Sequence, residues 1–246
     1  MKRILLPLLM LFIAGAIFSC KKKETETETP YSCATCSRTP QALAANDNIA
    51  KGIYKGTVTG SSGFITFDLA NSGSTMTATL TIDGVTANLT APITYNAGQP
   101  IVGDFTGTMA GQPVTVSFSV AANGSTPIIT SSNIPGHPNA VFTIYKETSN
   151  SLIEVFEGTY TKPSSSGTET GVFNIILGRA IGGFHALSKR NGGSSTATHD
   201  GTYSNGTITV TGTTNGQVTG TVTNDNVNGT IVDQYGSGSF TGHRTL

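Results

Sequence analysis

Four histidines, fourteen carboxylate residues and three cysteines are the side chains of this 246-residue chain with the means for acid–base, nucleophilic or metal chemistry. Glu154 and Glu157 form the closest carboxylate pair in the second half. Residues three apart on a strand face opposite sides, so without a bulge they cannot flank one glycosidic bond. Their expected role is two solvated charges near a strand start. His199 and Asp200 are adjacent, yet strand neighbours also diverge, and a hairpin position before Gly201 accounts for both. His185, in Gly182-Gly183-Phe184-His185, sits on an alternating strand from which it could line a cavity. His137 lies in a loop between Gly136 and Pro138, and His243 lies near the end of the sequence. No two histidines have the helical or hairpin spacing of a metal pair. Gly60-Ser61-Ser62-Gly63 is not a G-x-S-x-G elbow, and no glycine-rich loop ends in Lys followed by Ser or Thr. Asn224-Asp225-Asn226-Val227-Asn228-Gly229 has the outline of a calcium loop, but its in-phase positions are Asn and Tyr235 stands where a bidentate Glu is required. It reads as a polar turn. The expectation is therefore no catalytic residue, no cofactor and no metal.

The most specific segment is N-terminal. Lys2-Arg3 precedes an apolar run, Ile4 to Ser19, that closes in Ile17-Phe18-Ser19-Cys20. A basic head, an apolar stretch and a small residue at a cleavage point make a secretory signal. The run is too short for a bilayer core, which needs ~20 residues, and Pro7 would weaken a permanent helix. Ser19-Cys20 resembles the lipobox of bacterial lipoproteins. That resemblance implies removal of residues 1–19 and an acylated Cys20 as the new N-terminus, anchored in membrane. Lys21 after the cysteine resembles the outer-membrane sorting position of Gram-negative lipoproteins. Lys21-Lys22-Lys23-Glu24 loosely resembles surface-export signals, which leaves the periplasmic face and the cell surface both open.

Cys33 and Cys36 remain. A thioredoxin-like site needs a surrounding βαβ pattern, a c-type haem site needs His where Ser37 stands, and a structural zinc needs four ligands. An exported compartment is oxidising, which favours a local Cys33–Cys36 disulfide.

Composition narrows the rest. Only 11% of residues are charged, against ~25% in an average domain. Loss of Lys2 and Arg3 leaves twelve basic and fourteen acidic residues, a net charge of −2, too weak a field to hold nucleic acid. From Cys20 to about residue 32, Lys, Glu and Thr recur without apolar partners and suit an extended tether. Thr39-Pro40 then has the form of an N-cap followed by proline at the first helical position, and Gln41 to Ala45 favour helix, which predicts one short helix ending near Asn46. Residues 20–50 are thus expected to be a lipid-anchored tether bearing the C-x-x-C and that helix.

Strand patterning begins at residue 51. Met76, Ala78, Leu80 and Ile82 alternate with threonines, as do Val114, Val116, Phe118 and Val120 with Thr and Ser. Period two with one apolar face means half-buried strands. Asp83-Gly84, Asn123-Gly124, Asn205-Gly206 and Asn215-Gly216 are hairpin signals. Tyr54-Lys55-Gly56-Thr57 is echoed by Phe156-Glu157-Gly158-Thr159 about a hundred residues later, with Thr148 to Ser151 between the halves. Aromatic-x-Gly recurs at Phe105-Thr106-Gly107 and Phe240-Thr241-Gly242; an aromatic beside a strand glycine can cover its backbone and permit curvature. The prediction is all-β: an antiparallel meander in two tandem small barrels or barrel-like sandwiches, residues 51–147 and 152–246. One continuous sheet from both halves is the alternative.

Three functions fit. The first is a non-catalytic lipoprotein that binds or assembles, held to the membrane through Cys20, its partner an envelope protein, a glycan or a small apolar ligand. The second is an envelope enzyme acting on glycans, which requires His185, His199 and an acid to converge. The third is an adhesin built on outward threonine rows. A cavity in a barrel, as opposed to a filled interior, is what would favour ligand binding.

Overall fold

A computed structural model describes residues 31–59, 63–210 and 216–246. The signal segment, Cys20, the tether as far as Pro30, residues 60–62 and Asn215 lie outside them. Tyr31 to Leu246 form one compact unit, built from two eight-stranded antiparallel meanders.

The first contains β1 (Gly52–Thr59), β2 (Gly63–Leu69), β3 (Met76–Ile82), β4 (Val85–Ala91), β5 (Ile101–Met109), β6 (Gln112–Val120), β7 (Ile128–Asn133) and β8 (Val141–Lys146). Each strand pairs with the next, except that β8 returns to pair with β1, giving the order β7-β6-β5-β4-β3-β2-β1-β8. The sheet is barrel-like, with β7 and β8 at its two edges. The second contains β9 (Ile153–Ser164), β10 (Gly167–Gly178), β11 (Gly183–Arg190), β12 (Thr196–Ser204), β13 (Thr207–Val210), β14 (Gly216–Thr223), β15 (Asn226–Asp233) and β16 (Gly236–Arg244). Here β16 returns to β9 and β13 pairs with β14, so the barrel is closed. The echoed segments are the first strands of the two meanders: Gly56 pairs with Ile65, and Gly158 with Phe173. The tight turns at Asp83-Gly84 and Asn205-Gly206 hold both residues at positive φ, the conformation that hairpins of matching twist demand.

The interior of the first meander is filled by rings that meet one another. Phe67 lies tilted on Phe118 at 4.4 Å and meets Phe105 edge to face at 5.0 Å, and Tyr54 meets Phe118 at 5.5 Å. Strand β1 is buried along its whole length. Tyr54 and Val58 point into this core, while its other face packs against the second barrel. At that junction Ile153, Val155 and Ile176 pack with Phe64 and Tyr145. Beside them Lys55 and Glu147, 1% and 0% exposed, form an ion pair at 2.5 Å. The same carboxylate accepts from the backbone N–H of Ile153 at 3.1 Å and of Gln41 at 2.6 Å. One buried charge thus ties together the first meander, the start of the second and the segment before both.

That segment differs from the expectation in two ways. The helix predicted from Thr39-Pro40 is reduced to one 3₁₀ turn, Ala44–Asn46. Starting a helix costs more than a few good formers return, and the backbone groups here have other partners: Gln41 N–H on Glu147, Leu43 N–H on Asn71, and Gln41 C=O accepting from the Asn71 amide. Nor do residues 31–50 hang free as a tether. They form a strap across both meanders, with Ser149 donating to Asp47, Tyr31 to the carbonyl of Arg244, and Asn226 to the carbonyl of Tyr31.

Removing one member of a buried pair leaves the other charge stranded, at about 3–5 kcal/mol. Lys55→Met should therefore lower unfolding stability by that order in a urea titration. The Lys55→Met/Glu147→Leu double variant should recover much of the loss, since the two deletions are strongly non-additive.

Candidate functional site

The second barrel is built differently inside. Its inward positions alternate rings with glycines on the facing strand. A Cβ added at Gly201 would lie 2.3 Å from Phe184, at Gly171 2.4 Å from Tyr160, at Gly158 2.6 Å from Phe173, and at Gly229 2.6 Å from Phe240. Each ring occupies space that any other residue would fill, so it lies against the barrel wall. Only Phe173 and Phe240 meet among these rings, edge to face at 5.5 Å. The axis is left open as a cavity of about 560 Å³, within the ~300–1,000 Å³ of small-ligand sites. Its walls include Phe173, Ile175, Phe184, Ile208, Val218, Ile231 and Phe240.

The two ends of the barrel are unlike. At one end Arg244, 1% exposed, sets its guanidinium 3.0 Å from Glu154 and 3.7 Å from Asp225. Arg179 also donates to Glu154, and to the Tyr203 hydroxyl at 2.8 Å. Arg38 grips Asp225 with two bonds of 2.5 and 2.7 Å. The loop closed by the Cys33–Cys36 disulfide, with Cα atoms 5.4 Å apart, presents the Cys33 N–H to the same carboxylate at 2.8 Å. The Arg38 hydrogen bonds hold Asp225 below the usual carboxylate range. This plug seals the base. At the other end the cavity reaches a polar rim of Lys162, Glu169, Arg190, Gln217 and Asp233, where Lys162 pairs with Asp233 at 2.8 Å. Below the rim, Tyr160 donates to Glu169 at 2.9 Å; burial and that bond push the phenol up to about 12.

Deeper still, Ser188 Oγ and His199 Nε2 are 2.9 Å apart. Burial in the apolar wall lowers the pKa of His199, and His185 lowers it further, so the imidazole is neutral near pH 7. Ser188 and His199 have the composition of a nucleophile and its base. Among the described residues, however, no carboxylate hydrogen-bonds His199 Nδ1, and Ser188 sits within the β10–β11–β12 ladders, where backbone N–H groups are spent on neighbouring strands and not collected into an oxyanion hole.

The other candidates scatter. His185 does not line the cavity: it faces outward and pairs with Asp200 at 2.6 Å, while His199 faces inward. The convergence of His185, His199 and an acid that glycan chemistry would need does not form. Glu154 and Glu157 point to opposite faces, as strand geometry requires, but Glu154 is not solvated; it is buried under Arg179 and Arg244. Glu157 lies 3.6 Å from His243, and His137 lies 3.7 Å from Asp83. Asn224-Asp225 forms the β14–β15 turn, with Asp225 turned under the strap. Among the described residues no group of three or more His, Cys, Asp or Glu is placed to hold a metal, and no helix is long and apolar enough to cross a membrane. Sequence reasoning missed Ser188, His199 as a lining residue, and the plug arginines. Parity would have found the first two, because Phe184, Ala186 and Ser188 share one face. The chain matches no protein-family model and no curated protein.

The lowered His199 value has a consequence for stability. The unfolded chain takes up the proton first, at the ordinary 6.5, so the stabilisation is complete above that pH and is lost as pH falls toward the folded value. Thermal unfolding midpoints should drop between about pH 7.5 and pH 5, and His199→Gln should flatten that part of the profile.

Proposed function

We propose that this is a lipid-anchored, non-catalytic protein of the bacterial outer membrane whose second barrel binds a small, largely apolar ligand. The observation that carries the reading is the contrast between the two meanders. The first is filled with mutually packed rings, and the second spends its rings on its glycines and keeps its axis open. Eight-stranded barrels are wide enough either to be filled by side chains or to hold one small ligand, and here one interior is filled and the other is open. An apolar, one-ended cup with a few polar groups at defined depths has the build of a ligand site. The lipobox-like Ile17-Phe18-Ser19-Cys20 supports anchoring through Cys20, with the filled meander as a rigid neighbour for the hollow one.

Two measurements test this. Cys20→Ala should move the protein from the membrane to the soluble fraction and abolish labelling by a palmitate analogue. N-phenylnaphthylamine, an uncharged apolar fluorophore, should brighten on saturable one-site binding to the unlipidated protein. Ala186→Trp, which places an indole in the cavity, should weaken that binding by at least about tenfold, or ~1.4 kcal/mol, with the far-UV circular dichroism unchanged. Binding that Ala186→Trp leaves intact would place the ligand site elsewhere.

A further inference from the structure

The half-buried polar pair below the cavity's rim specifies what kind of ligand it takes, an inference that rests on the ligand-binding reading above. Ser188 and the neutral His199 together carry two hydrogens, one on the hydroxyl and one on the ring. Their mutual bond at 2.9 Å uses one of them. Whichever atom donates, the pair retains one hydrogen to give and at least one lone pair to accept. Both residues line the cavity, and the rings and aliphatic side chains around them offer no complementary group. The other polar groups of the cavity are already engaged or sit at the rim: Tyr160 with Glu169, Lys162 with Asp233, and Arg190 exposed at the mouth. Ser188 and His199 are both half-buried; a ligand that fills the cavity displaces the water that reaches them, so one that supplies the missing partner is favoured over one that leaves the pair dry and unpaired.

We propose that the second barrel selects an uncharged, mostly apolar molecule bearing one hydroxyl-type group, which exchanges hydrogen bonds with Ser188 and His199 below the rim. A charged head is disfavoured at that depth. It would lose its hydration against Phe184, Ile208 and Val210; of the two cations on the strand of Ser188, Arg190 lies at the mouth and Lys189, one residue from Ser188, is on the opposite face. The charged groups around His199 are arranged in keeping with this. Glu169, Lys162, Arg190 and Asp233 lie toward the rim, and His185 and Asp200 lie on the outer face of the wall. Acidification that protonates His199 would place a cation in the apolar wall, change the pair's donor–acceptor balance and weaken binding of a neutral ligand.

The test is competition against N-phenylnaphthylamine by decanol, decane and decanoate, three probes that share one chain and differ in the head. At about pH 8, where imidazole is neutral, decanol should compete about tenfold better than decane, the worth of one well-made hydrogen bond, and better than decanoate. Ser188→Ala and His199→Leu should each erase most of decanol's advantage while leaving decane's competition within about twofold. Decanol's advantage should also shrink as pH falls toward 5. Equal competition by decanol and decane in the unaltered protein, or preference for decanoate, overturns the assignment of ligand class while leaving the cavity reading in place. Failure of N-phenylnaphthylamine to bind at all, or binding indifferent to Ala186→Trp, removes the cavity reading itself and this inference with it.

Discussion

An aromatic ring laid over a glycine on the next strand is the contact on which the second barrel's shape depends. The ring covers backbone that would otherwise be exposed, and the glycine gives up the volume in which the ring lies. Phe184 over Gly201, Tyr160 over Gly171, and Phe240 over Gly220 and Gly229 repeat this around the wall. The rings bury their area without projecting to the axis, and the missing Cβ atoms let the strands curve into closure. The first meander has aromatics and glycines too, but Phe67, Phe105 and Phe118 pack on one another. The same ingredients fill one interior and leave the other open.

The ion pairs decide which end is open. A chain with few charges places buried carboxylates at the base and the junction, each held by a cation: Glu147 by the buried Lys55, Glu154 by the buried Arg244 and the half-exposed Arg179, Asp225 by the exposed Arg38. Such pairs contribute little net stability relative to apolar replacements, but each member is costly to leave alone. Their effect here is to fix how the strap from Tyr31 to Ala50 crosses both meanders. With the strap and the disulfide loop at the base, the described residues leave the cavity its outlet at the rim.

Much of the architecture was legible. Alternation fixed the strands, Asp-Gly and Asn-Gly marked turns, and the Tyr54–Thr57 echo at Phe156–Thr159 marked the first strand of each meander. Less was legible about the site. Whether a ring lies on a glycine or on another ring depends on cross-strand register, which a linear pattern does not contain. Lys55 and Glu147 are 92 residues apart and carry no local mark of being paired. An alternating strand allows His185 to line a cavity, yet counting by twos from the apolar Phe184 places it outside and Ser188 inside. The Thr39-Pro40 helix failed because long-range acceptors and donors on Glu147 and Asn71 outcompeted a short local ladder. The outward threonines pair across strands, Thr81 with Thr86 at 2.9 Å, which is the ordinary use of threonine in a sheet.

The claim that one barrel is hollow and its neighbour filled is tested most directly by methyl NMR under xenon pressure, since an apolar cavity takes up xenon and a packed core does not. The account predicts progressive shifts at the methyls of Ile175, Ile208 and Ile231, with Ile65, Leu80 and Leu89 unmoved. Shifts of equal size in both sets, or in neither, would contradict it.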